Sequence, residues 1–199
     1  MTLEIFFAFL SSILVVGGNI PYYSDILRGR SYPHPITFGI WTILVGFNTY
    51  VIFLSGEFLA LIPSLLMLVS NFVFIIFGII HFKRIQINWF DWFCLILALF
   101  MISYWFFSKN ITNTVIITIT VDFVAYLPAF KKGWIAPWSE TTISYFIPGI
   151  TQVFTLLSIE KVTFENSLFW IYLFIANITF VLLVLSRRYY LKGWKSLFE

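Results

Sequence analysis

The sequence predicts an all-α polytopic membrane protein: seven transmembrane helices, arranged as two parallel three-helix bundles joined by a linker helix. Three observations carry that expectation: the composition, the spacing of apolar runs, and the placement of Lys and Arg. The 199 residues are 60% hydrophobic, 22% aromatic and only 11% charged, with a mean hydropathy of +0.94. Soluble domains carry roughly 25% charged residues. At about 20 apolar residues per crossing, the length accommodates seven or eight helices and no separate soluble domain.

The apolar runs cover 3–27, 35–55, 58–82, 90–107, 113–131, 139–158 and 165–187. The first lacks a basic leader, has Glu4 near its start and shows no small-residue cleavage site, so it is expected to be a retained helix and not a signal peptide. Pro21 interrupts it near its end, just before Arg28 and Arg30. The second follows His34, which is flanked by Pro33 and Pro35, and carries Trp41 and Asn48. The third carries Asn71 and is followed by Lys83 and Arg84. The fourth, WFCLILALFMISYWFF, has few polar groups, and its Cys94 is the single cysteine, for which packing is the expected role. The fifth holds Asp122 and Pro128 and runs into Lys131 and Lys132. The sixth holds Tyr145 and Gln152, and the seventh holds Asn177 and ends at Arg187 and Arg188. Asn110-Ile-Thr112 matches a glycosylation sequon but sits in a short loop close to the membrane, where a chance match is expected.

Ten of the twelve Lys and Arg residues fall in alternate loops and the C-terminal tail, which adds Lys192 and Lys195; only Lys109 and Lys161 fall on the other side. The positive-inside rule then puts the N-terminus outside and the C-terminus in the cytoplasm. The net charge of +3 is accounted for by this topology, and no nucleic-acid partner is expected.

Helices 1 to 3 align with helices 5 to 7. Pro21 falls on Pro128 at an offset of 107; Thr37, Trp41, Asn48 and Tyr50 fall on Thr141, Tyr145, Gln152 and Phe154 at 104; Phe58, Asn71 and Phe74 fall on Phe164, Asn177 and Phe180 at 106. Both changes of offset lie in loops, where insertions are tolerated. Three helices end on the side opposite their start, so a second copy in the same orientation needs one extra crossing. That crossing is helix 4, and the repeats become parallel. The expected units are a first bundle over 1–83, the linker over 84–111, and a second bundle with a basic tail over 112–199.

A 3+1+3 plan with the N-terminus outside, a proline late in helices 1 and 5, and an asparagine in helices 3 and 7 resembles the SWEET sugar transporters of the PQ-loop superfamily. In that superfamily each proline is typically followed by Gln. Here the pairs are Pro21-Tyr22 and Pro128-Ala129, a departure that points to a divergent branch. The segments YSDILRGRSYPH and AYLPAFKKGWIAPWSE are similar to those of small bacterial membrane proteins of the same kind, and the nicotinamide riboside transporters share the plan. The resemblance implies a plasma-membrane transporter, bacterial in type, with Asn71 and Asn177 lining a central solute site.

The residues support that expectation independently. An amide in hydrocarbon is costly unless its donors and acceptors are matched, and equivalent positions of parallel repeats face each other across the pseudo-twofold axis. Interhelical bonding worth about 0.6–2 kcal/mol is the structural alternative for Asn71 and Asn177. Asn48 and Gln152 form a second pair, each seven residues after an aromatic, Trp41 or Tyr145, hence on one helix face with it. Such a surface suits a small polar solute with a flat or apolar face; packing or an interfacial belt is the alternative for the two aromatics. Asp122 is the only acid deep within a run, at a cost of about 2.5–3.5 kcal/mol. Thr118 and Tyr126 flank it at four residues on either side, and Val15 takes its place in the first repeat. Asp122 is expected to bind solute or carry a coupled proton, or else to be a structural acid bonded to nearby hydroxyls.

The expected partners are a small polar solute and the lipid bilayer, with homo-oligomerisation left open. No phosphate-binding glycine motif, metal cluster or nucleophile elbow is present in the sequence, so neither enzymatic activity nor a metal or cofactor is expected. Pro21 and Pro128 are the expected compliant points of a rocking motion. Vitamin, nucleoside or amino-acid transport, proton coupling, a non-transporting receptor such as the KDEL receptor, and an accessory role remain the alternatives.

Overall fold

The structure, a computed structural model, describes residues 2–29, 33, 35–81, 89–135, 137–139 and 142–192. Arg30, His34, Lys83, Arg84, Thr141 and Lys195 lie outside the described residues, as do the side chains of Asp25, Asp91, Pro128, Lys131, Lys132 and Lys192.

The described residues form helices and no strand. The α-helices are α1 (Thr2–Leu27), α2 (Pro35–Leu54), α3 (Phe58–Ile80), α4 (Trp89–Ser108), α5 (Ile111–Ile135), α6 (Ile143–Leu157) and α7 (Phe164–Lys192), with a 3-10 turn over Pro137–Ser139. Four contain stretches long and apolar enough to cross a membrane: Leu3–Ser24, Pro35–Leu54, Phe58–Ile80 and Phe164–Leu191. Three shorter apolar stretches lie at Trp92–Ser108, Ile111–Leu127 and Ile143–Leu157. Large apolar side chains stand exposed around these helices, among them Phe9, Phe72, Phe107 and Leu182. Water would penalise such a surface and lipid does not.

Three boundaries differ from the apolar runs. Helix α5 continues past 131 to Ile135, because Lys131 and Lys132 are good helix formers and the next obstacle is Pro137, which disfavours helical backbone before it. The residues Pro137–Ser139 then form the 3-10 turn, so α6 begins at Ile143 and not at 139. Helix α7 runs on through Arg187 and Arg188 to Lys192.

Helix starts have local causes. The Oδ1 of Asn110 accepts the N–H of Asn113 at 2.9 Å and so caps α5; the asparagine of the sequon therefore has a structural role. At α7, Thr163 and Asn166 cap reciprocally: the N–H of Thr163 bonds Oδ1 of Asn166 at 2.9 Å, and the N–H of Asn166 bonds Oγ1 of Thr163 at 3.3 Å. Within the helices, Thr42, Thr49, Thr118, Thr120 and Thr151 donate their hydroxyls to the carbonyl four residues back. This keeps an otherwise costly group satisfied inside a helix. Pro21 lies inside α1, which remains helical through it to Leu27; the bond it cannot make is the one to Gly17.

Helix α3 packs against α1 and α2, and α7 packs against α5 and α6. Helix α1 also meets α6, while α4 packs against both α2 and α5, which touch each other as well. The α1–α6 contact is close: a Cβ built on Gly18 would stand 2.5 Å from Cγ2 of Ile147.

Candidate functional site

Two aromatic clusters link the helices, one in α1–α3 and one in α5–α7. Phe74 of α3 meets Tyr22 at 4.9 Å, Tyr23 at 4.8 Å and Phe38 at 4.7 Å between ring centroids, and Phe38 meets Trp41 at 5.2 Å. Phe180 of α7, its partner in the sequence alignment, meets Phe130 at 5.6 Å and Tyr145 at 4.1 Å, and Phe130 meets Tyr126 at 5.9 Å. One phenylalanine thus anchors each cluster, and Trp41 and Tyr145 belong to one each.

All five polar candidates are buried: Asn48, Asn71, Asp122, Gln152 and Asn177 are at most 5% exposed. Trp41 and Tyr145 are half-buried. Their partners differ. Asn48 turns back on its own helix, donating to the carbonyl of Leu44 at 2.9 Å. Asn177 is engaged on both sides, since its Nδ2 donates to the carbonyl of Leu173 at 2.8 Å and its Oδ1 accepts the hydroxyl of Tyr126 at 3.0 Å. Close packing holds it there, because a Cβ on Gly149 of α6 would lie 3.2 Å from Cβ of Asn177.

Asn71 and Gln152 are incompletely matched. Nδ2 of Asn71 and Oε1 of Gln152 are buried without a hydrogen-bond partner among the described residues. Gln152 reaches across from α6 to α3, where its Nε2 lies 3.9 Å from Sδ of Met67, a weak acceptor. Met67 precedes Asn71 by one turn on the same face of α3.

Asp122 is paired through a residue that the sequence did not single out as its partner. Tyr172 of α7 donates its hydroxyl to Oδ2 at 2.8 Å. Thr118 instead donates to the carbonyl of Thr114 and to Sδ of Met101, and Tyr126 bonds Asn177. Asp122 therefore joins α5 to α7. Tyr172 also lines a groove of about 320 Å³ between α5 and α7. No cluster of metal-ligating residues occurs among the described residues.

Glu57 was not expected at all. It is 5% exposed, lies in the α2–α3 loop, and bonds the backbone of the α6–α7 loop: Oε2 accepts the N–H of Glu160 at 2.6 Å and Oε1 that of Lys161 at 2.8 Å. A loop acid whose partners are main-chain groups leaves no pattern in the side chains. Ser11 of α1 makes a further cross-link, to the hydroxyl of Thr155 at 2.6 Å and the carbonyl of Thr151 at 3.2 Å.

Comparison with known proteins gives no match: no family model fits the chain, and neither a curated protein nor a solved structure is similar to it.

Proposed function

We propose that the chain is a membrane transporter that moves a small polar, sugar-like solute by alternating access through an axial cavity between two three-helix halves. The halves are 1–83 and 112–199, with 84–111 as the linking helix, the N-terminus outside and the C-terminus in the cytoplasm. The observation that carries the proposal is two buried, unmatched polar atoms, Nδ2 of Asn71 on α3 and Oε1 of Gln152 on α6. Each costs about 1–3 kcal/mol when left unmade, which calls for a compensating role. Solute hydroxyls answer such groups, accepting from the amide N–H and donating to the carbonyl oxygen. The packing supports the division into halves, because α3 contacts α1 and α2 as α7 contacts α5 and α6. Facilitated diffusion is the simplest mode.

The test is flux of labelled sugars, nucleosides and amino acids into proteoliposomes, alongside thermal stabilisation by the same compounds. Flux of one class, lost in Asn71→Ala, supports transport. Stabilisation without flux would instead make the protein a receptor, and neither result would leave an accessory role.

Asp122 favours proton coupling as a second component. A buried carboxyl bonded to a neutral tyrosine hydroxyl has no fixed positive charge in that partner to hold it ionised. Asp122→Asn should therefore flatten the pH dependence of flux. Unchanged flux, pH profile and solute affinity in that variant would assign the acid to structure.

A further inference from the structure

Five side-chain hydrogen bonds between residues 1–81 and residues 111–192 lie toward one end of the molecule. Ser11 lies in the first half of α1, Thr151, Gln152 and Thr155 in the second half of α6, and Glu57 and residues 160–161 in the loops beyond. At the opposite end of α7 the pattern differs. Arg188 donates to the carbonyl of Pro137 through Nε at 3.2 Å and Nη2 at 3.0 Å, and Arg187 to that of Trp134 at 3.1 Å. Those three bonds lie within the second half.

The α6–α7 loop is a built receptor for a carboxylate. Asn166, 2% exposed, donates from Nδ2 to the carbonyl of Lys161 at 3.0 Å while capping α7 with Thr163. The loop is thereby fixed with the N–H groups of Glu160 and Lys161 side by side, a cradle of the kind that binds anions. Its occupant comes from the other half. Gly56, at φ +76°, supplies the left-handed turn that precedes Glu57.

A charged occupant is an expensive choice for permanent glue, since a buried carboxylate loses its hydration. It is well suited to a contact that must open: bound, it makes two charge-assisted bonds; released, it is hydrated and leaves behind only backbone N–H groups that water can reach. Both states are then satisfied, as a two-state element requires.

We propose that Glu57 is a latch, whose carboxylate on the backbone N–H groups of Glu160 and Lys161 holds the two halves shut at the end where α7 begins and must leave for that end to open. The proposal rests on alternating access between the halves, and its test uses no solute. With Cys94 replaced by Ala, Leu54→Cys and Val162→Cys are spin-labelled in lipid nanodiscs and their separation is measured, together with amide exchange of the 158–163 segment. The parent protein should give a single short separation. Glu57→Ala should add a longer one and speed exchange at Glu160 and Lys161 by about tenfold or more, the scale expected for losing a charged hydrogen bond. Glu57→Gln, which retains one acceptor oxygen and the side-chain shape, should fall between them and serves if the alanine variant does not fold. Unchanged separation in both variants, or a lowered unfolding temperature without any longer separation, overturns the latch. A protein that opens in Glu57→Ala yet carries no solute keeps the latch and loses the transport assignment.

Discussion

Asn71 and Asn177 occupy matching places when the sequences of helices 1–3 and 5–7 are aligned but stand in different chemical situations, and this difference predicts opposite mutational outcomes. Asn177 holds the Tyr126 hydroxyl, so Asn177→Leu strands a buried group and should destabilise the protein by about 1–3 kcal/mol, read as a lower unfolding temperature in detergent. Asn71 has an unmatched Nδ2, so Asn71→Leu should leave stability unchanged or raised while flux falls. A destabilised Asn71→Leu with normal flux would make the residue ordinary packing. Both asparagines were legible in the sequence because amides are rare in apolar runs and these two recur at matching places. Tyr172 was not: one tyrosine in an aromatic-rich helix carries no signal, and its bond to Asp122 spans 50 residues. Glu57 was less legible still, since its partners are backbone groups common to every sequence.

At the level of elements, capping and proline chemistry give the sharpest expectations. Asn110→Ala removes the acceptor for the N–H of Asn113 and should cost about 1 kcal/mol, measured by thermal unfolding; a neutral result would mean that the α5 start is held from elsewhere. Pro21 is exposed on α1, and a Cβ on Gly17, one turn before it, would have nothing within 4 Å. Pro21→Ala restores an N–H for the Gly17 carbonyl and should slow transport more than it alters the folded yield; equal losses of both would reduce the proline to packing. Apolar runs located the helices well because α1, α2 and α3 end where charge or turn residues intervene. They failed at α6, where the run starts at 139, inside the 3-10 turn of Pro137–Ser139, and the helix begins only at Ile143. Hydropathy does not see the missing backbone donor of the proline that opens that turn.

At the scale of the whole molecule, the orientation can be read directly. Single cysteines at Val162 and Ser186, both exposed and near opposite ends of α7, should react with an impermeant thiol reagent from opposite sides of intact cells, Val162→Cys from outside. The reverse pattern would invert the topology that Lys and Arg predict. Which helices touch was not legible, because apolar faces of similar composition pack interchangeably on paper; the choice is made by close approaches such as Gly18 against Ile147. The placement of α4 has a mechanical meaning. It braces α2 and α5 on one flank, whereas α1 and α6 meet unbraced on the other. A molecule so built is expected to swing like a book about its spine, with α4 as the binding, so that a tether across the α1–α6 edge would arrest it and one across the α2–α5 edge would not.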